Sequence, residues 1–355
     1  MPVFYFIISS SLVLSQLFYF KAAFGVGFIY FNEIYRDVKV TKAGLIKMKD
    51  NSNSEGLNNQ EKNLSKDLVS KITIICSAPD LASQNIKTHL LKLKEWELLE
   101  LPENSGFLAA LKSTDGKFRL VEIEELHVFQ DGLDKKLESA GLPASLIIFA
   151  SKHRSKEEIN SLTVHCTGNP SEEARLGGRP KKLAVSSPAA MKSILLGMKR
   201  LAEEKELKYA VTLEVTHHGP TELSAPSLYA EIGSTEKQWK DPDAGEVASK
   251  AILAVSLDRV PVALGFGGGH YAMRQTGLLL ETGISFGHNF PKHQLEFVDE
   301  ALIRQAIEKS GADFAYFDRK SMKSEDRNRI SEILDKLGLM VLKESEIREK
   351  YGHVS

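Results

Sequence analysis

Short β-like runs alternate with amphipathic helical stretches along most of this 355-residue chain. Residues 71–76 are rich in β-branched side chains, and residues 80–93 then place leucine and isoleucine at approximate helical spacing. A second helix begins at Ser187-Pro188, because serine is a favoured N-cap and proline fits the first helical turn. This alternation predicts an α/β fold with a mixed, largely parallel sheet flanked by helices.

The same patterns place the other elements. Strands are predicted at residues 107–111, 120–127, 146–150, 161–166, 209–217, 227–233, 260–266, 284–290 and 314–317. Helices are predicted at residues 132–140, 188–205, 243–257, 294–308 and 325–337.

Composition divides the chain into three parts. Residues 1–47 form a hydrophobic leader whose first 20 residues carry no side-chain charge, which is long enough to be considered as a membrane span. The leader lacks the basic start and the cleavage site of a secretory signal, so we expect either an appended leader or, less in keeping with the composition, a membrane anchor. Residues 48–70 are polar and rich in Asn and Ser, which predicts a disordered linker. Residues 71–355 are the predicted catalytic domain.

The overall charge and the cysteine count exclude several classes of protein. A formal net charge of -1 excludes a general polycation, so any contact with nucleic acid requires a local basic surface. The two cysteines, Cys76 and Cys166, are too few for a disulfide framework or a four-cysteine zinc site. This cysteine usage favours the reducing cytoplasm.

Three polar clusters follow or end predicted strands: residues 163–169, 214–220 and 265–271. An α/β fold places ligands at the edge of the sheet where strands end, so these clusters predict one shared site. Zinc accepts imidazole nitrogen and carboxylate oxygen, and His165, His218 and His270 are therefore the predicted metal ligands. Glu214 is predicted to be a ligand or a general base, and either Glu214 or His218 is the predicted catalytic residue that moves the proton.

In an extended strand over residues 209–217, Thr212, Glu214, Thr216 and His218 would share one face. Such a polar face suits a metal or a polar substrate, although an edge strand in water and a packed core role for His217 are alternatives. The amides of Gly268 and Gly269 are predicted to stabilise an oxyanion, the alternative being a plain turn. His288 and His293 belong either to the same rim or to a loop.

A basic stretch follows the first cluster and contains Arg175, Arg179, Lys181 and Lys182. These four side chains are predicted to hold phosphates, with ordinary solvated loop charges as the alternative. Six other basic residues extend the predicted surface: Lys192, Lys199, Arg200, Arg319, Lys320 and Lys323.

The three clusters are accompanied by three further motifs: Glu-Leu at 222–223, Glu-Ile-Gly-Ser-Thr-Glu at 231–236 and Phe-Gly-His at 286–288. Taken together and in this order, these motifs resemble the archaeal and plant type of D-aminoacyl-tRNA deacylase. The resemblance runs from about residue 71 to near residue 342. It implies a zinc-dependent cytoplasmic hydrolase with a phosphorylase/peptidyl-tRNA-hydrolase-like fold. The implied reaction cleaves the ester between a D-amino acid and tRNA and so keeps D-amino acids out of translation.

The implied partner is the acceptor end of D-aminoacyl-tRNA, with no DNA partner, no membrane partner and a monomeric state. Two alternatives remain open from the residues alone. One is a zinc-dependent peptidase or amidohydrolase that acts on a small substrate, and the other is a non-catalytic nucleic-acid or nucleoside-binding module.

Overall fold

A computed structural model of the chain describes residues 72–352. Its strands are β1 (Ile72–Ser77), β2 (Trp96–Leu98), β3 (Ala109–Ser113), β4 (Phe118–Ile123), β5 (Leu146–Arg154), β6 (Ser161–His165), β7 (Gly168–Asn169), β8 (Lys182–Leu183), β9 (Ala210–Leu213), β10 (Ser227–Ser234), β11 (Val262–Phe266), β12 (Ser285–Phe290), β13 (Phe314–Phe317) and β14 (Val341–Leu342).

The helices are α1 (Leu81–Leu93), α2 (Leu133–Ser139), α3 (Pro188–Glu204), α4 (Glu236–Trp239), α5 (Pro242–Leu253), α6 (Met273–Glu281), α7 (Glu300–Ser310), α8 (Ser324–Lys336) and α9 (Glu344–Tyr351). Short 3-10 helices cover His127–Phe129 and Lys292–Phe297. Aspartates begin three of the α-helices in the described residues, since Asp80, Asp241 and Asp299 each accept a hydrogen bond from a main-chain amide of the first turn.

The larger sheet has eight strands in the order β2-β3-β4-β1-β5-β10-β6-β9. Strands β4, β1, β5 and β10 run parallel, and β6 turns the direction by pairing antiparallel with β10 and parallel with β9. The parallel strands are buried along almost their whole length, which explains their continuous apolar sequence. The prediction of a mixed, largely parallel sheet is confirmed.

A second sheet of four parallel strands has the order β12-β11-β13-β14. The carboxyl ends of β11, β12 and β13 therefore lie at one edge. Helices α7 and α8 pack on this sheet through a core that includes Phe266, Phe290 and Leu302. On the larger sheet, α2 packs over Phe149 and Tyr229.

Among the predicted boundaries that differ from the structure, two have a clear physical reason. The strand predicted at 209–217 ends at Leu213, since the Val215 amide donates to His270 in the loop after β11 and the Thr216 amide donates to Asn289 in β12. The helix predicted at 294–308 begins only at Glu300, because Asp299 caps it and a 3-10 turn precedes it. Helix α6 was not predicted, and it follows directly on the glycine cluster.

The predictions for the hydrophobic leader at 1–47 and the linker at 48–70 lie outside the described residues. Within residues 72–352, no helix combines the length and the apolar character that crossing a membrane requires.

Candidate metal centre

Histidine and glutamate side chains from distant parts of the chain meet where the two sheets adjoin. The larger sheet supplies His153 near the end of β5, His165 at the end of β6 and Glu231 in β10. The other members follow β9 or the glycine turn after β11, and they are Glu214, His217, His218 and His270.

Strand register puts the larger sheet's contribution on one face. Tyr229 pairs with His165, and Gly233 pairs with His153 on one side and Ser161 on the other. Glu231 lies between these two positions of β10, and alternate residues of a strand share a face. The face that carries Phe149 and Tyr229 in the core therefore continues into the site.

Glu214 is the centre of the cluster and its side chain is fully buried. Its Oε2 lies 2.7 Å from Nε2 of His270 and 3.5 Å from Nε2 of His217, while Oε1 lies 3.0 Å from Nδ1 of His153. Despite these short distances, neither carboxylate oxygen makes a hydrogen bond within the described part of the chain. A buried carboxylate without a hydrogen bond is stabilised by a nearby cation, and a bound metal ion would serve as one.

Three imidazoles are oriented by the main chain. His165, His217 and His218 each place Nδ1 within 2.7–3.2 Å of a carbonyl oxygen, and a carbonyl only accepts, so Nδ1 carries the proton. In the neutral form of each ring, the lone pair is therefore on Nε2. Metal-binding histidines commonly donate their second N–H to a carbonyl in this manner.

A fourth imidazole is held by a side chain. Nε2 of His153 lies 3.1 Å from the Tyr271 hydroxyl, which leaves Nδ1 directed to Glu214.

Burial and neighbouring charges shift the pKa values of the residues in the cluster in different ways. Burial lowers the pKa of His218 to about 3, and burial with repulsion from His218 and His165 holds the pKa of His217 well below its usual value. Burial raises the pKa of Glu214, but the imidazoles of His153 and His270 outweigh it and bring that pKa well below the usual range. His217 and His218 thus offer neutral imidazoles beside the ionised Glu214. His153 differs, since burial lowers its pKa but Glu214 outweighs burial and brings that pKa above its usual value.

The second carboxylate differs from the first. Burial raises the pKa of Glu231, and its Oε2 lies 3.4 Å from Nε2 of His165. Burial lowers the pKa of His165 in turn, but Glu231 more than offsets this and the pKa lies above its usual value.

The donor set fits a metal ion. Potential ligand atoms lie within 4.8 Å of one another in three groups: His165 with His217 and His218, His153 with Glu214 and His270, and His165 with Glu214 and Glu231. Three imidazoles, or two imidazoles and a carboxylate, are the ligand sets of catalytic zinc sites, which leave one position open. The unpaired Nε2 of His165 and both oxygens of Glu214 are the orphaned buried atoms that such an ion would satisfy.

All four residues of the predicted cluster, His165, Glu214, His218 and His270, come together in the structure. Their grouping differs from the predicted ligand set, because His270 lies with Glu214 and His153 and not with His165 and His218. His217 belongs to the cluster as well, and its ring centroid lies 4.4 Å from that of His165. The interpretation of His217 as a packed core residue is wrong.

The predicted polar face of an extended strand is also wrong beyond Leu213. Thr212 bonds to Thr276 at 2.9 Å, and Thr216 bonds to Nδ1 of His288 at 3.1 Å, so both hydroxyls have partners outside the cluster. His218 enters the cluster through a left-handed backbone, with φ of 43°, and not through strand alternation.

Sequence reasoning missed His153 and Glu231. A carboxylate inside the buried run of residues 227–234 was a signal for Glu231, since an unpaired buried charge is costly. His153 carried no comparable signal, because strand β5 was predicted to end at Ala150.

The two glycines predicted to stabilise an oxyanion have different environments. The Gly268 amide donates to Oγ of Ser321 at 2.6 Å, so it is already engaged. Within residues 72–352 the Gly269 amide has no hydrogen-bond partner, and Gly269 is exposed beside His270. Of the two glycines, only Gly269 still has an amide available to stabilise an oxyanion.

The remaining predicted residues lie away from the cluster. His288 is buried behind it against Cys166 and Ala184, and His293 is exposed on a 3-10 turn. Lys192 is not part of a surface, because its Nζ is buried and donates to three carbonyls at 2.6–2.7 Å.

The predicted basic stretch is partly neutralised by the protein itself. Arg175 pairs with Glu173 at 2.9 Å, and Lys181 donates to the carbonyl of Phe297 at 2.6 Å and lies 3.3 Å from Asp299. The other two residues of the stretch, Arg179 and Lys182, are exposed.

Comparison with known proteins shows consistent similarity. A family model described as D-aminoacyl-tRNA deacylase matches residues 140–342. The D-aminoacyl-tRNA deacylase of Methanosarcina barkeri is 82% identical over 306 residues, covering 86% of this chain and 100% of the relative. That of Thermococcus onnurineus is 37% identical, covering 76% of this chain and 99% of the relative. The crystal structure of a conserved protein of unknown function, AF0625, matches with a TM-score of 0.74 and 36% identity, covering 81% of this chain and 99% of that one.

Proposed function

Because the chain belongs to the D-aminoacyl-tRNA deacylase family, it hydrolyses D-aminoacyl-tRNA, and we propose that the reaction takes place at the cluster where the two sheets adjoin. The observation that carries this assignment is the buried Glu214 carboxylate, which has imidazole nitrogens at 2.7 and 3.0 Å and no hydrogen bond within the described residues.

The cofactor in this proposal is zinc. His165, His217 and His218 form one set of ligands, and His153, Glu214 and His270 form the other. When bound, zinc lowers the pKa of a coordinated water and polarises a carbonyl. The low pKa of Glu214 suits a permanently charged ligand better than a general base, which needs a pKa near the working pH.

The bond that is cleaved is, in this proposal, the ester between the amino acid and the tRNA. Glu231 is the candidate for moving a proton, since it is the second buried carboxylate and lies 3.4 Å from His165. His270, with a side chain 40% exposed, marks the side from which the substrate enters. The free amide of Gly269 next to it is available to the carbonyl oxygen as negative charge develops. A substrate from translation also implies the cytoplasm.

The test is deacylation of matched D- and L-aminoacyl-tRNA by purified protein, with zinc measured on the same samples. We expect release of the D-amino acid, loss of that activity with a chelator and recovery with zinc. Glu214→Gln keeps the shape of the side chain but removes the charge, so it should lose zinc as well as activity. The matched control is His89→Gln. It removes a half-buried imidazole from α1, a helix that contributes no residue to the cluster.

Full activity in zinc-free protein would reject zinc. Equal zinc content and activity in Glu214→Gln and His89→Gln would reject the site. A free aminoacyl amide serves as the competing substrate, and faster turnover of that amide than of the tRNA ester would favour a small-substrate amidohydrolase.

A further inference from the structure

Three loops meet at the edge of the smaller sheet next to the cluster. The glycine turn after β11 is held by the loop after β12, since Gly267 N–H donates to the carbonyl of Phe290 and Lys292 N–H donates to that of Gly268. The loop after β13 joins them through Ser321, whose Oγ accepts from Gly268 N–H. These loops therefore form one continuous rim that leads to Gly269 and His270.

The exposed cationic side chains of the rim include Lys292, Arg319 and Lys320, and Lys323 follows them at the start of α8. None of them makes an ion pair or a side-chain hydrogen bond with any residue between 72 and 352. The nearby carboxylate of Asp318 is mostly buried and is paired with Arg274 at 3.2 Å. Glu296, four residues beyond Lys292, is the exposed acidic residue of the same 3-10 turn, so the rim retains a positive balance.

The basic stretch singled out by the sequence has a different character. Two of its four cations are already paired or hydrogen-bonded within the protein, as Arg175 is to Glu173 and Lys181 is to Asp299. Unpaired cations are free to replace the counterions of a phosphate backbone, whereas paired ones must first give up their partner.

We infer that Lys292, Arg319 and Lys320 bind the phosphates of the single-stranded 3′ end of the tRNA. This inference rests on the proposed function, because the ester to be cleaved is attached to that end. A rim that runs directly to Gly269 and His270 would hold the last nucleotides while the ester reaches the cluster. Such contacts read the backbone and not the bases, so one enzyme serves tRNAs of different sequence.

The size of the effect follows from counterion release. Each phosphate contact on a single strand contributes about 0.7 to the slope of log affinity against log salt concentration, so three contacts contribute about 2. Replacing all three side chains by glutamine should therefore lower the slope by about 2, and each single replacement should lower it by about 0.7.

The experiment measures binding of deacylated tRNA to the full chain by filter retention at about 50–200 mM salt. The test variant is Lys292→Gln/Arg319→Gln/Lys320→Gln. A control with the same change of charge is Lys92→Gln/Lys135→Gln/Lys136→Gln, at exposed positions on α1 and α2. Arg179→Gln/Lys182→Gln tests the competing surface. Thermal melting verifies folding, and the three single variants replace the triple one if it melts early.

A slope lowered by about 2 in the test variant, with the control at the unmodified value, supports the inference. An unchanged slope overturns it, as does an equal loss in the control or a loss found only in Arg179→Gln/Lys182→Gln. If the unmodified protein binds tRNA through this rim but does not deacylate it, the proposed function fails and the binding surface stands.

Discussion

The loop that carries His217 and His218 is fixed by close packing of main chain against Gly219. A methyl group added at Gly219 would lie 2.3 Å from the nitrogen of Gly178, 2.4 Å from the carbonyl carbon of Gly177 and 2.6 Å from the carbonyl oxygen of Val128. All three are backbone atoms, which cannot move aside as the end of a flexible side chain can. Gly219→Ala therefore forces either this loop or the facing segment to shift.

The cost can be bounded from these contacts. Each of the three approaches is well short of ordinary van der Waals separation, and overpacking of a tightly packed site costs about 1–3 kcal/mol. Three simultaneous backbone clashes place Gly219→Ala near the upper end of that range. For a domain of this size about 1 kcal/mol corresponds to about 2 °C in Tm, so we expect a drop of roughly 4–6 °C.

The functional consequence follows from position. Gly219 supplies the carbonyl that orients His218 through Nδ1 at 2.7 Å, so a shifted loop misplaces Nε2 of His218. In Gly219→Ala, the Tm, the zinc content and the deacylation rate, measured on one preparation, should all fall. The matched control is Gly277→Ala inside α6, where the added methyl meets only the flexible end of Glu281 at 3.7 Å. That control should raise Tm slightly, because alanine favours a helix by up to about 1 kcal/mol over glycine.

A Tm for Gly219→Ala within about 1 °C of the unmodified protein would refute the packing argument, because the bounded cost is several times larger. A lowered Tm with zinc content and activity retained would refute the link from Gly219 to His218.

Three further predictions concern groups buried in the fold. Burial raises the pKa of the thiols of Cys76 and Cys166 to about 12, so neither should react with a thiol reagent at neutral pH until denaturation exposes both. The absorbance of the chromophore that the reagent releases on reaction measures this. Burial lowers the pKa of His127 to about 4, so the folded state holds fewer protons than the unfolded state between about pH 4 and pH 6.5, and stability falls as pH drops through that window. Between pH 7 and pH 4, the unfolding free energy of His127→Gln should therefore fall by about 3 kcal/mol less than that of the unmodified protein, as measured by denaturant titration at each pH. An identical pH dependence of the two proteins would contradict the assignment. Glu231→Gln should lower the deacylation rate while zinc content stays close to normal, and a loss of zinc equal to that of Glu214→Gln would make Glu231 a ligand instead.

The sequence predicted the elements of the fold well because their signals are local. The apolar stripe of α3 and the apolar runs of β1 and β5 depend only on nearby residues. The glycine-flanked clusters likewise pointed to His165, Glu214, His218 and His270, because polar residues at strand ends in an α/β fold tend to meet at one edge. Residue types and their order were sufficient for that.

Where a local pattern meets a tertiary contact, the contact decides. Strand periodicity continued through His217, yet hydrogen bonds from Val215 to His270 and from Thr216 to Asn289 end the strand early. The alternation that was expected to separate His217 from His218 is lost there, and both imidazoles enter the cluster.

By itself the sequence determined the α/β class, the family and four of the clustered residues, since all of these follow from residue types and their order. Tertiary structure alone decided that His153 and Glu231 lie in the cluster and that His270 groups with Glu214 and not with His165. The physical reason is register: β10 pairs with β5 on one side and antiparallel with β6 on the other, and only that pairing sets which side chains of distant strands face one another.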